Sequence, residues 1–314
     1  MNPDADRIFR RFSATAKLRH FSLLIQLHDL RNMKRAAEAL GLSQPAVSLA
    51  VSDLEKLLGV QLFLRHARGV EPTQVASDLV PIARRIMAAL GDGAEVVSNV
   101  INESAGFVRI SATPAAISAM LFPLTQVFAR KFPAVHIEIS EINAADPLEP
   151  ISDGSCDILC LRETQTMPEN WTFEESMSDA LVVICGAQHP LSAQCSVSND
   201  DLRAFPWLIH RRGSIARNRF ESIAQEIDLP ANKRCGVVTH IPMLTRELLM
   251  GGNFLALMPR SVAIPWFSDG SVVEIDCPAN TAIAPLGFLW QPDSASRITR
   301  KIAGELTSHR ASSS

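Results

Sequence analysis

The stretch MKRAAEALGLSQPAVSLAVSDLEKLL, residues 33–58, decides how the front of this chain folds. Its first part, residues 33–40, is rich in alanine, whose small side chains let a short helix pack closely. Gly41 supplies the left-handed residue with which helices commonly end. Ser43 is a good N-cap, and Pro45 suits the first turn of a second helix. In that helix Val47, Val51, Leu54 and Leu58 form one apolar stripe, and Gly59 closes it. Two short helices hinged on a glycine make either a helix-turn-helix or a plain helical hairpin within a bundle. In the first case the second helix enters a DNA major groove with its N-terminal residues at the base edges. Gln44 can then bond an adenine edge bidentately, and Ser48, one turn on, can donate to or accept from a base. Ser43 is placed for a phosphate, because anions favour that end of a helix.

Working outward, residues 18–31 (LRHFSLLIQLHDLR) put Leu18, Phe21, Leu24, Ile25 and Leu27 at helical spacing, with Asn32 expected to break the helix. Beyond Gly59, Leu62–Leu64 and Val70 flank Arg65-His66-Ala67-Arg68-Gly69, two short strands joined by a basic turn, which is a wing. Thr73 then caps a long helix from Gln74 to about Asn102, with a kink expected at Pro81 and weak points at Gly91 and Gly93. A helix of that length needs a surface to bury its apolar side, usually a second copy. Residues 1–17 read as an extension, and disorder is the commoner fate of such a tail.

From Phe107 the pattern becomes strands alternating with helices. Strands are expected at Val108–Ser111, Val135–Ser140, Asp157–Leu161, Leu181–Gly186, Trp207–His210, Gly236–Thr239 and Phe254–Met258. Helices are expected at Ala115–Phe132, Ile215–Ile227 and Met243–Met250. The alternation argues a parallel-rich α/β sheet, and seven strands are too many for one small lobe.

Composition narrows the class. Residues 1–75 hold 11 Lys and Arg against 7 Asp and Glu, whereas the whole chain is at −3, so a basic front sits on an acidic body. Such a front suits a polyanion. The longest apolar runs are strand-length, well short of the roughly 20 residues that cross a bilayer, so no membrane is expected. Asp4, Asp6, Arg7, Arg10 and Arg11 precede any apolar run, which is no secretory signal, and the cytoplasm is the expected compartment. The six cysteines lack a CxxC pair and read as buried small hydrophobes, with a redox pair of Cys185 and Cys195 as the alternative. Nothing resembling GxSxG, HExxH or a Gly-rich phosphate loop is present, so neither an enzyme nor a metal or cofactor is expected. A soluble binding protein would explain residues 107–305 but not residues 18–73.

The motifs then become specific. LRHF (18–21), RAAEALGLSQPAVS (35–48), LEKLLGVQLFLR (54–65), RGVEPT (68–73) and ARRI (83–86) resemble the DNA-binding end of LysR-type transcriptional regulators. FVRIS (107–111), SDGSCDILCLR (152–162), QHPL (188–191) and GGNFLALMPR (251–260) match more loosely. The resemblance implies a winged helix-turn-helix over 18–73, a dimerising linker helix over 74–106 and a two-lobed effector domain like periplasmic binding proteins over 107–305. A polar tail of 306–314 follows. It also implies that Ser43, Gln44, Pro45 and Ser48 face DNA, that Arg35 opens the small helix, and that Arg65 and Arg68 lie in the wing. One departure is Leu49-Ala50, where the family often has a basic or long polar residue, so affinity leans on Arg31, Lys34 and the wing. Expected partners are double-stranded promoter DNA, a small effector, and further copies in a homodimer or a homotetramer. The RHARG wing resembles a branch that handles sugars and aromatic acids, which makes the effector an organic acid or a sugar.

Effector contacts are expected where strands end. Thr113 precedes Pro114 at a helix start, and Ser214 repeats that arrangement, so each is a ligand contact or a simple cap. Arg162 ends the third strand, as a bidentate grip on an acid or as a surface arginine. His210 and Arg211 end the strand from Trp207, and Thr239 and His240 end another. Arg217 and Arg219 read as solvated faces of a helix.

Overall fold

The computed structural model describes residues 3–66, 69–101, 106–142, 146–239 and 241–310. They form two compact units, one of residues 1–106 with 148–156, the other of residues 107–147 with 157–314.

The first unit runs α1 (Pro3–Thr15), α2 (Leu18–Leu30), α3 (Met33–Ala39), α4 (Gln44–Leu58), β1 (Phe63–His66), β2 (Gly69–Pro72) and α5 (Gln74–Ile101). A helix as short as α3 does not hold itself together in water. It is held by packing: Ala36 and Ala37 bury against Leu23, Leu24 and Leu27 of α2 and Val47, Val51 and Leu54 of α4. Burying each Leu or Val contributes about 1.5–3 kcal/mol over leaving it exposed. Gly41 (φ +63) and Gly59 (φ +76) are left-handed, as the pattern required. Asn32 has a different task from the expected one. Arg31 ends α2 with φ 47, while the Asn32 side chain caps α3 by accepting from Lys34 N and Arg35 N at 2.9 and 3.1 Å.

The wing is a two-stranded antiparallel ribbon closing at His66 opposite Gly69. Two ties fix it. Glu55 Oε1 on α4 accepts from Leu62 N and Phe63 N at 2.8 and 3.1 Å. The Arg31 carbonyl accepts from Val70 N at 3.1 Å, and a Cβ on Gly69 (φ +146) would lie 2.8 Å from that same oxygen. From Pro3 the extension is helical, where a disordered tail was expected: α1 lays Phe12 on Phe21, ring centroids 5.4 Å apart and nearly edge-on.

The second unit is built on one nine-stranded sheet in the order β4-β3-β5-β11-β6-β9-β7-β8, with β10 on β6. Its strands are β3 (Gly106–Ala112), β4 (Val135–Glu141), β5 (Ile158–Arg162), β6 (Thr172–Gly186), β7 (Trp207–Ile209), β8 (Arg234–Val238), β9 (Leu255–Pro259), β10 (Val272–Ile275) and β11 (Thr281–Trp290). Two of these, β10 and β11, were not expected, and β6 starts nine residues earlier than expected at Leu181. They change the sheet from parallel-rich to mixed. β3 with β5, and β7 with β8 and β9, are parallel, while β11 is antiparallel to β5 and β6, and β6 to β9.

Helices cover both faces: α6 (Pro114–Ala116), α7 (Thr125–Lys131), α9 (Asn199–Ala204), α10 (Ile215–Glu226), α11 (Pro242–Gly251), α12 (Arg260–Ser268) and α13 (Arg297–Arg310); the short α8 (Glu149–Ser152) is grouped with the first unit. The single helix expected over 115–132 is interrupted by a wide turn at Ile117–Leu121 and a tight one at Phe122–Leu124, where Pro123 has no N–H to continue the ladder. The expected polar tail also starts too early, since α13 carries Leu306 into the core.

Two lobes follow from the cores. Lobe I packs Val108, Ile110, Ile158, Leu286 and Phe288 under α7 and α13. Lobe II is covered on both faces, as alternation along a strand demands. Val183 and Leu257 face Trp207 and Phe220, while Val182, Ile184 and Met258 face Leu249 and Trp266. The chain passes from lobe I to lobe II along β6 and returns along β11.

Candidate functional site

At the start of α4 the residues expected to face DNA lie open. Ser43, Gln44 and Pro45 are exposed, and Ser43 Oγ accepts from Ala46 N at 3.4 Å. Ser48 is half-buried, and its hydroxyl accepts from Arg65 of the wing at 2.7 Å; Arg65 also donates to the Ser48 carbonyl at 3.4 Å. The fold thus joins helix and wing through two residues 17 apart in sequence. Lys34 and Arg35 stand exposed on the first turn of α3, and Arg31 just before it. Leu49 is 62% exposed on α4, an apolar side chain where a basic or long polar one was expected. Arg68 lies outside the described residues.

The second site comes from sheet register. Along β6, Met177 lies opposite Leu286, which pairs on its other side with Arg162 at the end of β5. Four residues on, Leu181 lies opposite Pro259 at the end of β9. The carboxyl ends of both lobes' strands therefore converge on the middle of β6. Ligands of open α/β sheets bind outside strand carboxyl ends. Thr113 after β3, Arg162 on β5, His210 and Arg211 after β7, and Thr239 after β8 all occupy such ends, and Ser214 opens α10 just beyond. His240 lies outside the described residues.

Hydrogen bonding sorts these side chains. Thr113 Oγ1 accepts from Ala116 N at 3.4 Å and Thr239 Oγ1 from Ile241 N at 3.1 Å, which leaves each O–H to donate. Ser214 Oγ instead accepts from Arg217 N and donates to the Arg211 carbonyl, both at 3.1 Å. Arg162 donates to Asp179 Oδ2 at 2.8 Å and to the Ala284 carbonyl.

Asp179 was not singled out from sequence, because β6 was expected to begin after it. It is 6% exposed and sits where the lobes meet. Besides Arg162, its carboxylate accepts from Ser261 Oγ at 2.5 Å, Ser261 N at 3.1 Å and Ala180 N at 2.8 Å, so it caps α12. The only available signal was an acid within an apolar-flanked segment. Arg217 is not the solvated residue expected: it donates to Glu221 at 2.6 Å and to the His210 carbonyl at 3.1 Å. Glu221 also accepts from Arg234 at 2.8 Å; that bond chiefly holds its carboxyl below the usual range. Cys185 is fully buried, and burial pushes its thiol up to about 12, which removes the thiolate a redox pair needs. Among the described residues no cluster suited to a metal ion occurs, and no helix is long and apolar enough to cross a membrane.

A winged helix-turn-helix followed by a two-lobed α/β unit whose strand ends converge defines a ligand-responsive DNA-binding regulator. The comparisons agree. Residues 18–77 match the bacterial regulatory helix-turn-helix protein, lysR family, and residues 102–311 match the LysR substrate binding domain. The chain belongs to the LysR family of transcriptional regulators, with a DNA-binding helix-turn-helix and an effector-binding domain. It is similar to the HTH-type transcriptional regulator GbpR of Azospirillum brasilense, 28% identical over 286 residues, 89% of this chain and 82% of that one. AlsR of Bacillus subtilis is 29% identical over 193 residues, 60% of this chain and 63% of AlsR. Among solved structures, CbnR covers 94% of this chain and 99% of its own at 18% identity with a TM-score of 0.65. CbnR complexed with its target DNA has the same coverage and identity at a TM-score of 0.63.

Proposed function

We propose that this regulator reads its DNA site with Gln44 and Ser48 and holds the backbone with Ser43, Lys34, Arg35, Arg31, Arg65 and Arg68. Pro45 sets the angle of the helix start. The cooperating units are residues 18–73 for DNA, 74–106 for pairing and 107–305 for the effector, working in the cytoplasm as a homodimer or a dimer of dimers. Its function is regulatory and not catalytic. The exposed, unspent start of α4 beside the wing carries the DNA reading. Gln44→Ala loses about 1–3 kcal/mol at the cognate site and little on random DNA. Arg68→Ala weakens both alike and flattens the salt dependence. Parallel salt titrations separate the two, and identical behaviour of the variants overturns the division of roles.

For the effector, we infer a small organic acid over a neutral sugar. Thr113 and Thr239 have O–H donors to offer, while Arg211 is exposed and supplies charge with His210 and His240 nearby in sequence. Arg162, neutralised by Asp179, and Ser214, already bonded twice, support the site from behind. Closure on a ligand rotates one lobe against the other and alters DNA bending in the oligomer. An acid at 100 times its dissociation constant raises stability by about 2.7 kcal/mol, read as a melting shift. Thr113→Val abolishes that shift and leaves ligand-free DNA binding intact. A full shift in Thr113→Val, or a shift with sugars alone, overturns this reading.

A further inference from the structure

We propose that α1, which precedes the family match at residue 18, is an additional pairing surface for a second copy of this chain. The inference rests on the pairing role given above to α5. Phe12 lines a small apolar cavity of about 30 Å³ with Phe21, Leu54, Leu58, Leu79 and Ile82, so α1 roofs the seam between α2, α4 and α5. Ile8 and Phe9 lie four and three residues before Phe12, on the same face of the helix. Yet they are 39% and 60% exposed, so this face runs past the edge of its own core. At Phe12 it meets further uncovered apolar surface. Ile82, which shares the cavity with Phe12, is 43% exposed, and it belongs to a stripe on α5 with Val75, Leu90 and Val97, at 42%, 46% and 58%. Those four recur at seven, eight and seven residues, one side of a helix. The apolar face of α1 therefore meets the α5 stripe at Ile82, which lines one cavity with Phe12.

The competing occupant is DNA, since α1 also carries Arg7, Arg10 and Arg11. Its position argues otherwise. The Arg11 guanidinium lies 3.7 Å from where a Cβ on Gly59 would stand, at the C-terminal end of α4. Bases are read from the other end, and α4's 15 residues put the two ends about 22 Å apart.

The test is sedimentation equilibrium on the full chain, with cognate-DNA affinity measured in parallel. Phe9→Asp and Ile8→Asp, both at exposed positions, raise the dimer dissociation constant about tenfold or more, with unchanged thermal unfolding of the monomer. Arg7→Gln with Arg10→Gln leaves it unchanged. Val97→Asp reports separately on α5. If Val97→Asp weakens the dimer while Phe9→Asp and Ile8→Asp stay within twofold of the parent, α1 is no pairing surface, though α5 is. If none of the three moves the constant, both readings fall. Should the arginine variant weaken DNA binding while the aspartates leave pairing intact, α1 is a DNA arm and the proposal is overturned.

Discussion

The start of α4 and the middle of β6 both gather polar side chains, in opposite ways. At α4, Ser43, Gln44 and Pro45 are consecutive, exposed and almost unengaged within the chain. At β6, Asp179 is buried and draws four donors from Arg162, Ala180 and Ser261, scattered over 99 residues. A surface built for an outside partner keeps its hydrogen-bonding capacity open, whereas a junction built to hold two lobes uses it up. Substitution should therefore cost binding at the first place and stability at the second.

The largest effect that can break this contrast is Asp179→Ala. It strands a guanidinium and the amide that starts α12, and should cost about 3–5 kcal/mol in urea unfolding. Gln44→Ala should stay within about 0.5 kcal/mol of the parent in the same assay. A loss under 1 kcal/mol for Asp179→Ala would erase the distinction. Next in size is Gly287→Ala in β11. The added methyl would lie 2.2 Å from the Glu174 carbonyl and 2.6 Å from the Phe173 ring, so β6 and β11 must part. About 1–3 kcal/mol should be lost, seen as a lower Tm.

Arg65→Ala sharpens the other side. It removes the tie to Ser48 without a buried partner, so the melting temperature should hold while the salt slope of DNA binding falls by about 1. A fall in Tm with an unchanged slope would mark Arg65 as purely structural. The smallest effect concerns His20, buried at the first turn of α2, where Nδ1 accepts from Lys17 N at 3.2 Å. Burial first, then the charges of Arg19 and Lys17, hold its pKa below the usual value. The unfolded chain then binds the proton more readily, so stability should drop as pH falls through about 6.5 toward the lowered value. In His20→Gln that slope, followed by thermal unfolding between pH 7 and 5, should vanish.

How legible each region was follows the same division. The helix-turn-helix is local: Gly41, Ser43, Pro45 and Gly59 each act within a turn of their neighbours, and sequence reasoning located both helices. Asn32 misled because a residue that ends one helix and a residue that caps the next read alike. In the second unit β11 was missed because Pro285 reads as a breaker, although the register shift between Ile283 and Leu286 accommodates it. The first half of β6, TFEESMSDA, was missed because its polar residues hide the strand pattern. Thr113, Arg162 and Thr239 were legible as strand ends. That Arg162 is already held by Asp179 was not, because the pairing depends on a crossing strand that no local pattern announces.

The two strands that cross between the lobes bear on how a bound molecule can be sensed at all. β6 and β11 are laddered together from Thr172 opposite Trp290 to Leu181 opposite Thr281. Sliding one along the other by a single residue would turn every side chain to the wrong face, so translation is blocked. Flexing the ribbon across its plane breaks no rung. A ladder of this kind resists sliding more than bending, and Asp179 lies on β6 opposite Ile283, where the two strands cross between the lobes. On the lobe closure proposed above, ligands of different size would be told apart by one angle, a continuous quantity, and the output at a promoter would be graded.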